Sequence, residues 1–395
     1  MSMGWQVKPL GEVVTLQRGF DLPKQDRQAG AVPIVSSSGV SGTHNEVRVL
    51  APGVVTGRYG CIGQVHFVET DFWPLNTTLF VKDFKGNDPR FISYLLRTID
   101  FASCSDKSSV PGVNRNDLHR LLVAIPDMPE QRHIAGTLGA LDDKIELNRR
   151  MNRTLESIAR AIFKSWFVDF DPVRKKMEGG EVGLPPDLAA LFPSSLDDSP
   201  LGRIPAGWDM APCEHVFRIT MGQSPPGISY NEEGKGIPFY QGCRDFGSRY
   251  PTRRVFCTAP SRFADSGDAL VSVRAPVGRL NQATERCCIG RGLAGVRHRL
   301  GVPYYTFESM RSLGDAFRDF ESGGTVFGSI GGKDFGNLRV LVPPLSLLEA
   351  YEKTVEPLLQ LVAKNEEAST LLVAAREAML PLLLSGSLNG GETVG

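Results

Sequence analysis

Two stretches of the 395-residue chain carry a long apolar period, and the rest carries short ones. In the first stretch Ile134, Leu138, Leu141, Ile145, Asn148, Asn152, Leu155, Ala159, Ile162 and Trp166 recur at alternating steps of four and three. That is the seam of a coiled coil. Adding 217 to each number gives Tyr351, Val355, Leu358, Val362, Asn365, Ser369, Leu372, Arg376, Met379 and Leu383. The second seam is apolar at the same layers except at Arg376, where Ala375 is expected to take over. Each stretch predicts a helix of about 40 residues, about 60 Å long at helical rise. The first follows Pro126-Asp-Met-Pro129 and the second follows Pro343-Pro344, both suited to helix entry. Both seams turn polar at the same layer, Asn148 and Asn365; a buried seam asparagine fixes register, whereas a rotated helix would turn it to water.

Outside the seams the apolar runs are brief, as in Gly53-Val-Val-Thr56, Leu121-Leu-Val-Ala-Ile125 and Ala269-Leu-Val-Ser-Val273. Gly and Pro punctuate them at intervals of about ten residues, which predicts strands and turns. Helices are expected around Pro89–Ile99 and Tyr304–Phe320.

The pattern occurs twice. A slide of 203 brings Gly4-Trp5 onto Gly207-Trp208, Pro9 onto Pro212, Gly19 onto Gly222 and Pro23 onto Pro226. By the end of each half the slide is 217, with Leu121 on Leu338 and Pro126 on Pro343. The second copy therefore holds about fourteen extra residues in its middle. A repeat this long is a duplicated domain, not a solenoid unit. The expected fold class is α+β: two globular α/β domains joined by two long antiparallel helices that form a coiled coil, with pseudo-two-fold internal symmetry. The expected segments are a first globular domain at 1–125, a central helix at 126–168, a connector at 169–206, a second globular domain at 207–343, a distal helix at 344–388 and a disordered tail at 389–395.

Charge sharpens the picture. The formal net charge is zero, but it is +2 over residues 1–125, −3 over 126–200, +5 over 201–343 and −4 over 344–395. In the +5 segment 16 of the 18 cations are Arg, the residue suited to phosphate and guanine. The two acidic segments, which contain the helices, suit protein partners better than phosphate. No run of 18 apolar residues and no leader pattern is seen, so neither a membrane span nor secretion is expected, and the cytoplasm is the expected location. Seven cysteines without CxxC fit a reducing compartment and argue against zinc.

Several fragments imitate catalysis. Pro126-Asp127 with Asp142-Asp143-Lys144 spells a nuclease pattern, yet the pieces are strung along one helix, about 22 Å apart. Gly332-Lys333 hints at a phosphate loop, but Phe327 and Asp334 replace the needed Gly and Ser/Thr. The histidines show no ligand spacing. No active site and no metal site is expected.

The chain resembles the specificity subunit of type I restriction–modification enzymes. The residues that carry the resemblance are Met221-Gly-Gln-Ser-Pro-Pro-Gly227, Tyr230-Asn231, Gly236-Ile-Pro-Phe-Tyr-Gln-Gly242, Leu141-Asp-Asp-Lys-Ile145, Ser165-Trp-Phe-Val-Asp-Phe-Asp-Pro172, Leu201-Gly-Arg-Ile-Pro-Ala-Gly-Trp208 and Leu382-Leu-Leu-Ser-Gly386. In the first half Gln17-Arg-Gly-Phe-Asp-Leu-Pro23 departs from the pattern of the second. The resemblance implies that the globular domains are target recognition domains, each reading one half of a bipartite asymmetric site in double-stranded DNA. It implies that the helices space the halves and dock two methyltransferase subunits, through which restriction subunits join. S-adenosylmethionine, ATP and magnesium would then come with the partners, and the chain would bind no cofactor and catalyse nothing itself. The rival readings are a coiled-coil scaffold for two proteins without DNA, and an enzyme with a hidden nuclease site.

Turns at strand ends are the best places for groups that touch phosphates and base edges. The candidates in the first half are Ser36, Ser37, Ser38, Arg58, Tyr59, Lys107, Asn114 and Arg115. In the second they are Gln241, Arg244, Arg253, Arg254, Arg274, Thr325 and Lys333. Arg58 and Arg274 are read as occupying comparable places, each between a short strand and a turn. Phe239 and Tyr240 are expected in the core.

Overall fold

The computed structural model describes residues 5–101, 103–104, 112–199, 202–322 and 328–385. Contacts divide the chain into two compact units. The first combines residues 1–150 with 365–395, and the second runs from Met151 to Lys364. Each unit thus takes part of both long helices, which span Met128–Phe167 and Leu345–Leu384.

In the first unit, strands Thr15–Arg18, Thr78–Asp83, Gly53–Gly57 and Val65–Val68 form an antiparallel sheet in that order. A second sheet places Val32–Ser36 between Gly39–His44, antiparallel, and Trp73–Pro74, parallel. Gln6–Pro9 pairs with Leu122–Ile125. The helix Pro89–Arg97 begins as the proline predicts, with Asp88 accepting from the Phe91 amide at 2.9 Å. Its buried side chains Phe91, Ile92, Tyr94 and Leu95 join Leu10, Leu16, Val54 and Leu79 in the core.

The long helices seal that core. Ile134, Leu138 and Leu383 are buried in it, with Met379 packed against it. Asp127 accepts from the Glu130 amide at 3.1 Å, capping the first long helix. Asn148 Nδ2 donates to Ser369 Oγ at 3.2 Å and the Asn365 carbonyl at 3.5 Å. Number therefore falls along one helix as it rises along the other, so within this unit they are antiparallel.

The second unit repeats the scheme. Phe217–Met221, Leu293–His298, Ala269–Ser272 and Leu280–Gln282 form an antiparallel sheet. A five-stranded sheet follows the order Tyr230–Asn231, Phe256–Cys257, Ile237–Tyr240, Cys287–Ile289, Phe263–Ala264, and its third and fourth strands are parallel. Asp209–Pro212 pairs with Arg339–Val342. The expected helix near 304–320 is two helices, Pro303–Ser312 and Gly314–Ser322, because Gly314 has the poorest helix propensity among non-proline residues. Asn152 Nδ2 reaches the Val362 carbonyl at 3.4 Å, and Tyr351 donates to the Ala159 carbonyl at 3.4 Å, so the helices are antiparallel here as well.

The segment after the first long helix is bound down by aromatic packing. Phe192 meets Trp166 edge-on at 5.4 Å, and Phe170 meets Trp208 edge-on at 5.8 Å. The helices Asp171–Met177 and Pro186–Ala190 and the hairpin Leu196–Ser199 with Gly202–Pro205 give it structure. Each aromatic pair adds about 1 kcal/mol beyond its buried area.

One seam layer shifts by a residue: Leu359 is buried, whereas Leu358, the residue read there from the sequence, is half-buried. Ile145, Asn148, Tyr351, Val355, Val362 and Asn365 are buried, and Leu141, Leu155, Ile162, Leu358, Leu372 and Met379 are half-buried. Ala375 does not replace Arg376: it is exposed. Arg376 stays half-buried because Asp142 on the facing helix accepts from it at 2.6 Å.

Candidate functional site

A shared register relates the two units' strand ends. In the first unit Gln17 and Val55 both face Phe80, and in the second Thr220 and Leu270 both face Gly295. Gly19 and Gly222 show why these strands stop alike. A Cβ on Gly19 would run into the carbonyls of Leu75 and Pro74, and one on Gly222 into those of Gly290 and Ile289. Only glycine allows such backbone approach.

In the second unit this close approach gathers several turns at one edge. Gly222 N donates to Leu293 O at 2.9 Å and Gln223 N to Ile289 O at 3.0 Å. Gly292 N donates to Gln241 O at 3.0 Å, and Val273 N to Gly292 O at 2.9 Å. Ile330 N then donates to Val273 O at 3.0 Å. Ser224, Gln241, Arg291, Arg274 and Ser329 thus lie on neighbouring turns. Gln241 and Arg291 both hydrogen-bond Ser224 Oγ, at 2.8 and 3.3 Å. A cleft of about 420 Å³ opens beside them, lined also by Tyr230 and Phe239, whose rings stack at 4.6 Å. Phe239 and Tyr240 are otherwise core, as expected.

The predicted cations of this unit fall into two groups. Arg244, Arg274 and Lys333 are exposed and enter no ion pair among the described residues. Arg253 is tied to Glu285, and Arg254 to Asp245 at 2.7 Å and Glu232 at 3.3 Å. Those carboxylates and hydrogen bonds hold the Arg254 guanidinium above its ordinary pKa. Thr325 lies outside the described residues.

In the first unit the corresponding edge carries Asp21, Ser36–Ser38, Asn76, Arg58 and Tyr59. Arg58 N and Tyr59 N both donate to Thr77 O, at 2.9 and 3.1 Å, and Val113 N donates to Arg58 O at 3.1 Å. The Arg58 guanidinium lies over the Tyr59 ring at 4.6 Å. Ser36 Oγ donates to Gly39 O at 2.9 Å and lies 3.1 Å from Ser38 Oγ, while Ser37 O meets His66 Nε2 at 3.3 Å. Asn114 caps the helix Arg115–Arg120 by accepting from Asn116 N at 3.0 Å, which leaves Arg115 exposed at its start. Lys107 lies outside the described residues.

The reading of Arg58 and Arg274 as counterparts is off by one. Tyr59 bridges Gly112 and Arg274 bridges Ser329, and Gly112 and Ser329 are themselves matched by the 217-residue slide. Tyr59 is therefore the counterpart of Arg274, and Arg58 of Val273. A single-residue shift turns a strand-end side chain to the opposite face. Five residues of these edges were not among the candidates read from the sequence: Asp21, Asn76, Ser224, Arg291 and Ser329. Arg291 could have been found from Gly290-Arg-Gly292, a tight turn that holds an arginine as Gly57-Arg-Tyr-Gly60 does.

The nuclease-like Asp142-Asp143-Lys144 has another use. Asp142 accepts from Tyr94 at 2.8 Å, Arg97 at 3.2 Å and Arg376 at 2.6 Å, and Asp143 accepts from Arg90 at 3.0 Å. Burial works against the Asp142 charge, but the hydrogen bonds from Arg376 and Tyr94 and the charge of Arg97 prevail and hold its pKa below the usual carboxylate value. Among the described residues no helix is long and apolar enough to cross a membrane.

Residues 3–157 match the type I restriction modification DNA specificity domain. A Methanocaldococcus jannaschii protein assigned to the MjaX type I restriction enzyme as its specificity subunit is 29% identical, covering 76% of this chain and 68% of that protein. The HindI specificity subunit of Haemophilus influenzae is 24% identical, covering 82% and 84%. A crystal structure of the type I restriction–modification S subunit from M. genitalium, 17% identical, covers 97% of this chain and 96% of its own with a TM-score of 0.60, a likeness of fold.

Proposed function

We propose that the chain is a type I restriction–modification specificity subunit, a reading its similarities support, and that its two units read the two halves of a split, asymmetric DNA sequence. One observation supports this above others. The two units bring matching turns to matching strand ends but furnish them with different side chains. Asp21, Ser36, Asn76 and Tyr59 stand in one unit where Ser224, Gln241, Arg291 and Arg274 stand in the other. One scaffold with two side-chain sets suits two different words of DNA.

The antiparallel long helices would then hold the readers at a fixed separation, and their surfaces would dock two methyltransferase subunits, which bring S-adenosylmethionine. Restriction subunits using ATP and magnesium would join through them. In this reading the chain supplies recognition, and the nuclease-like Asp142 and Asp143 are committed instead to arginine and tyrosine partners. The expected place of work is the cytoplasm. A scaffold without DNA reading fits less well, because exposed Arg244, Arg274 and Arg291 have no role in it.

The test is co-expression with a partner adenine methyltransferase in a host without modification, followed by long-read mapping of modified bases. A motif of two specified halves around an unspecified gap is expected. Modification without any sequence motif contradicts the reading.

A further inference from the structure

The backbone bonds that align the two units also match three surface positions one to one. Phe20 N donates to Pro74 O at 2.8 Å as Gln223 N does to Ile289 O at 3.0 Å. Leu75 N donates to Val35 O and Gly290 N to Tyr240 O, both at 2.8 Å. One residue further along each segment, Asp21 corresponds to Ser224, Ser36 to Gln241, and Asn76 to Arg291. The side-chain bond between the first and third positions recurs as well. Asn76 Nδ2 donates to Asp21 Oδ1, and Arg291 Nε donates to Ser224 Oγ at 3.3 Å.

We propose that Asn76 and Arg291 are the base-reading side chains of the two units and that Asp21 and Ser224 are the positioning residues that aim them. The assignment rests on the DNA-reading function proposed above.

The chemistry follows from which atoms remain. Arg291 is exposed and enters no ion pair among the described residues. Ser224 takes its Nε–H and leaves the two terminal nitrogens, the planar fork that fits guanine O6 and N7. Asn76 gives one Nδ2 hydrogen to Asp21, which settles which end of the amide faces inward. The second Nδ2 hydrogen and Oδ1 remain, the donor and acceptor pair that fits adenine N7 and N6. Neighbouring Arg254 differs: Asp245 takes its Nε and one terminal nitrogen and Glu232 the other, so it lacks a free fork. The second unit's half-site should therefore contain a G·C pair read by Arg291, and the first unit's half-site an A·T pair read by Asn76.

Mapping of modified bases with the methyltransferase complex decides the matter. Arg291→Ala should relax discrimination at one G·C position by roughly 10- to 100-fold and leave the other half-site intact. Arg291→Lys keeps the charge but not the fork, and should relax the same position. Asn76→Ala should relax one A·T position in the other half, and Ser224→Ala should weaken the Arg291 position less than Arg291→Ala does. A lowered yield with an unchanged motif in both Arg291 variants would make it a phosphate contact and overturn the proposal. So would an unchanged motif at full yield, or relaxation by Arg291 and Asn76 variants within the same half. Should Arg291→Ala fail to fold by thermal denaturation, Arg291→Lys and Asn76→Ala carry the test. If the wild-type chain directs no bipartite motif, it is the DNA-reading function that fails instead.

Discussion

Arg376 donates to Asp142 across the long helices at 2.6 Å, and the same carboxylate accepts from Tyr94 at 2.8 Å and Arg97 at 3.2 Å. One acid thus joins both helices to the helix Pro89–Arg97 of the first unit. Removing it strands two half-buried guanidinium groups and a phenol. Asp142→Asn should cost about 1–3 kcal/mol, less than a fully buried network would, because both Asp142 and Arg376 keep about a fifth of their side-chain surface in water. The sign with pH is fixed as well. The folded pKa of Asp142 lies below its unfolded value, so its contribution is present above the unfolded pKa and is lost as pH falls through the folded one. Chemical denaturation at pH 7 and near pH 3 checks both points: the variant's deficit should shrink in acid. An equal deficit at both values would remove the carboxylate's charge from the account.

That network marks the limit of what the chain's pattern discloses. The seams were legible because a 3.5-residue period persists over ten layers, and few other structures produce it. The antiparallel pairing followed from the duplication. Asp142 and Asp143 were legible only as not forming a nuclease site. Their partners Arg90, Tyr94 and Arg97 lie 45 to 53 residues away, and no local period links them. The recognition surface was half legible for a similar reason. Ser36 and Gln241 stand out beside strands, but the pairing of Asn76 with Arg291 depends on an offset of 215, between the two offsets visible at the ends of the repeat. The inserted residues hide it, and the same blur set Arg58 against Arg274 one residue out of register.

Glycines at two kinds of place should respond oppositely to one methyl group. At Gly222 a Cβ would meet the Gly290 and Ile289 carbonyls, which belong to the sheet edge and cannot retreat. Gly222→Ala should destabilise the second unit by about 1–3 kcal/mol. At Gly136, inside the first long helix, no atom beyond the helix's own neighbouring backbone lies within 4 Å of the added Cβ. Gly136→Ala should stabilise by about 0.5–1 kcal/mol through helix propensity. Thermal denaturation of the two variants reads the contrast. Shifts of the same sign would mean that the close approach at Gly222 is not as described.

Glu308 gives the second unit a pH dependence of its own. It is 3% exposed, and burial pushes its pKa up to about 7 against the partial relief of Arg249 and Arg160, with Glu156 adding to the rise. Arg311 Nε lies 3.2 Å from it. The native state therefore holds a proton that the unfolded chain releases from about pH 4.5 upward. Its contribution is fully present below that value and is lost as pH rises through about 7. Glu352, raised to about 7 by burial, acts in the same sense, whereas His298, lowered to about 4 by burial, opposes it below neutrality. A difference measurement isolates Glu308. The melting temperature of the wild type minus that of Glu308→Gln should fall between pH 5 and pH 8. A flat difference across that range counts against a titrating Glu308.

The long helices make a prediction about distance. If they hold two readers apart, as proposed, lengthening both changes the gap between the half-sites and nothing within them. Four residues are close to one helical turn, so the seam keeps nearly the same face and each helix grows by about 6 Å. That is roughly two base-pair steps at about 3.4 Å each. The insertions belong beside the polar layer, after Leu147 and after Lys364, both exposed and directly before Asn148 and Asn365; in the first unit the Asn148 side chain donates to the Asn365 carbonyl across the helices. Mapped modification should then show both half-sites unchanged and the unspecified gap wider by about two base pairs. A single insertion should do worse than the pair, since the antiparallel seam would be out of step beyond it. An unchanged gap in a folded double insertion would mean that the helices do not set the spacing.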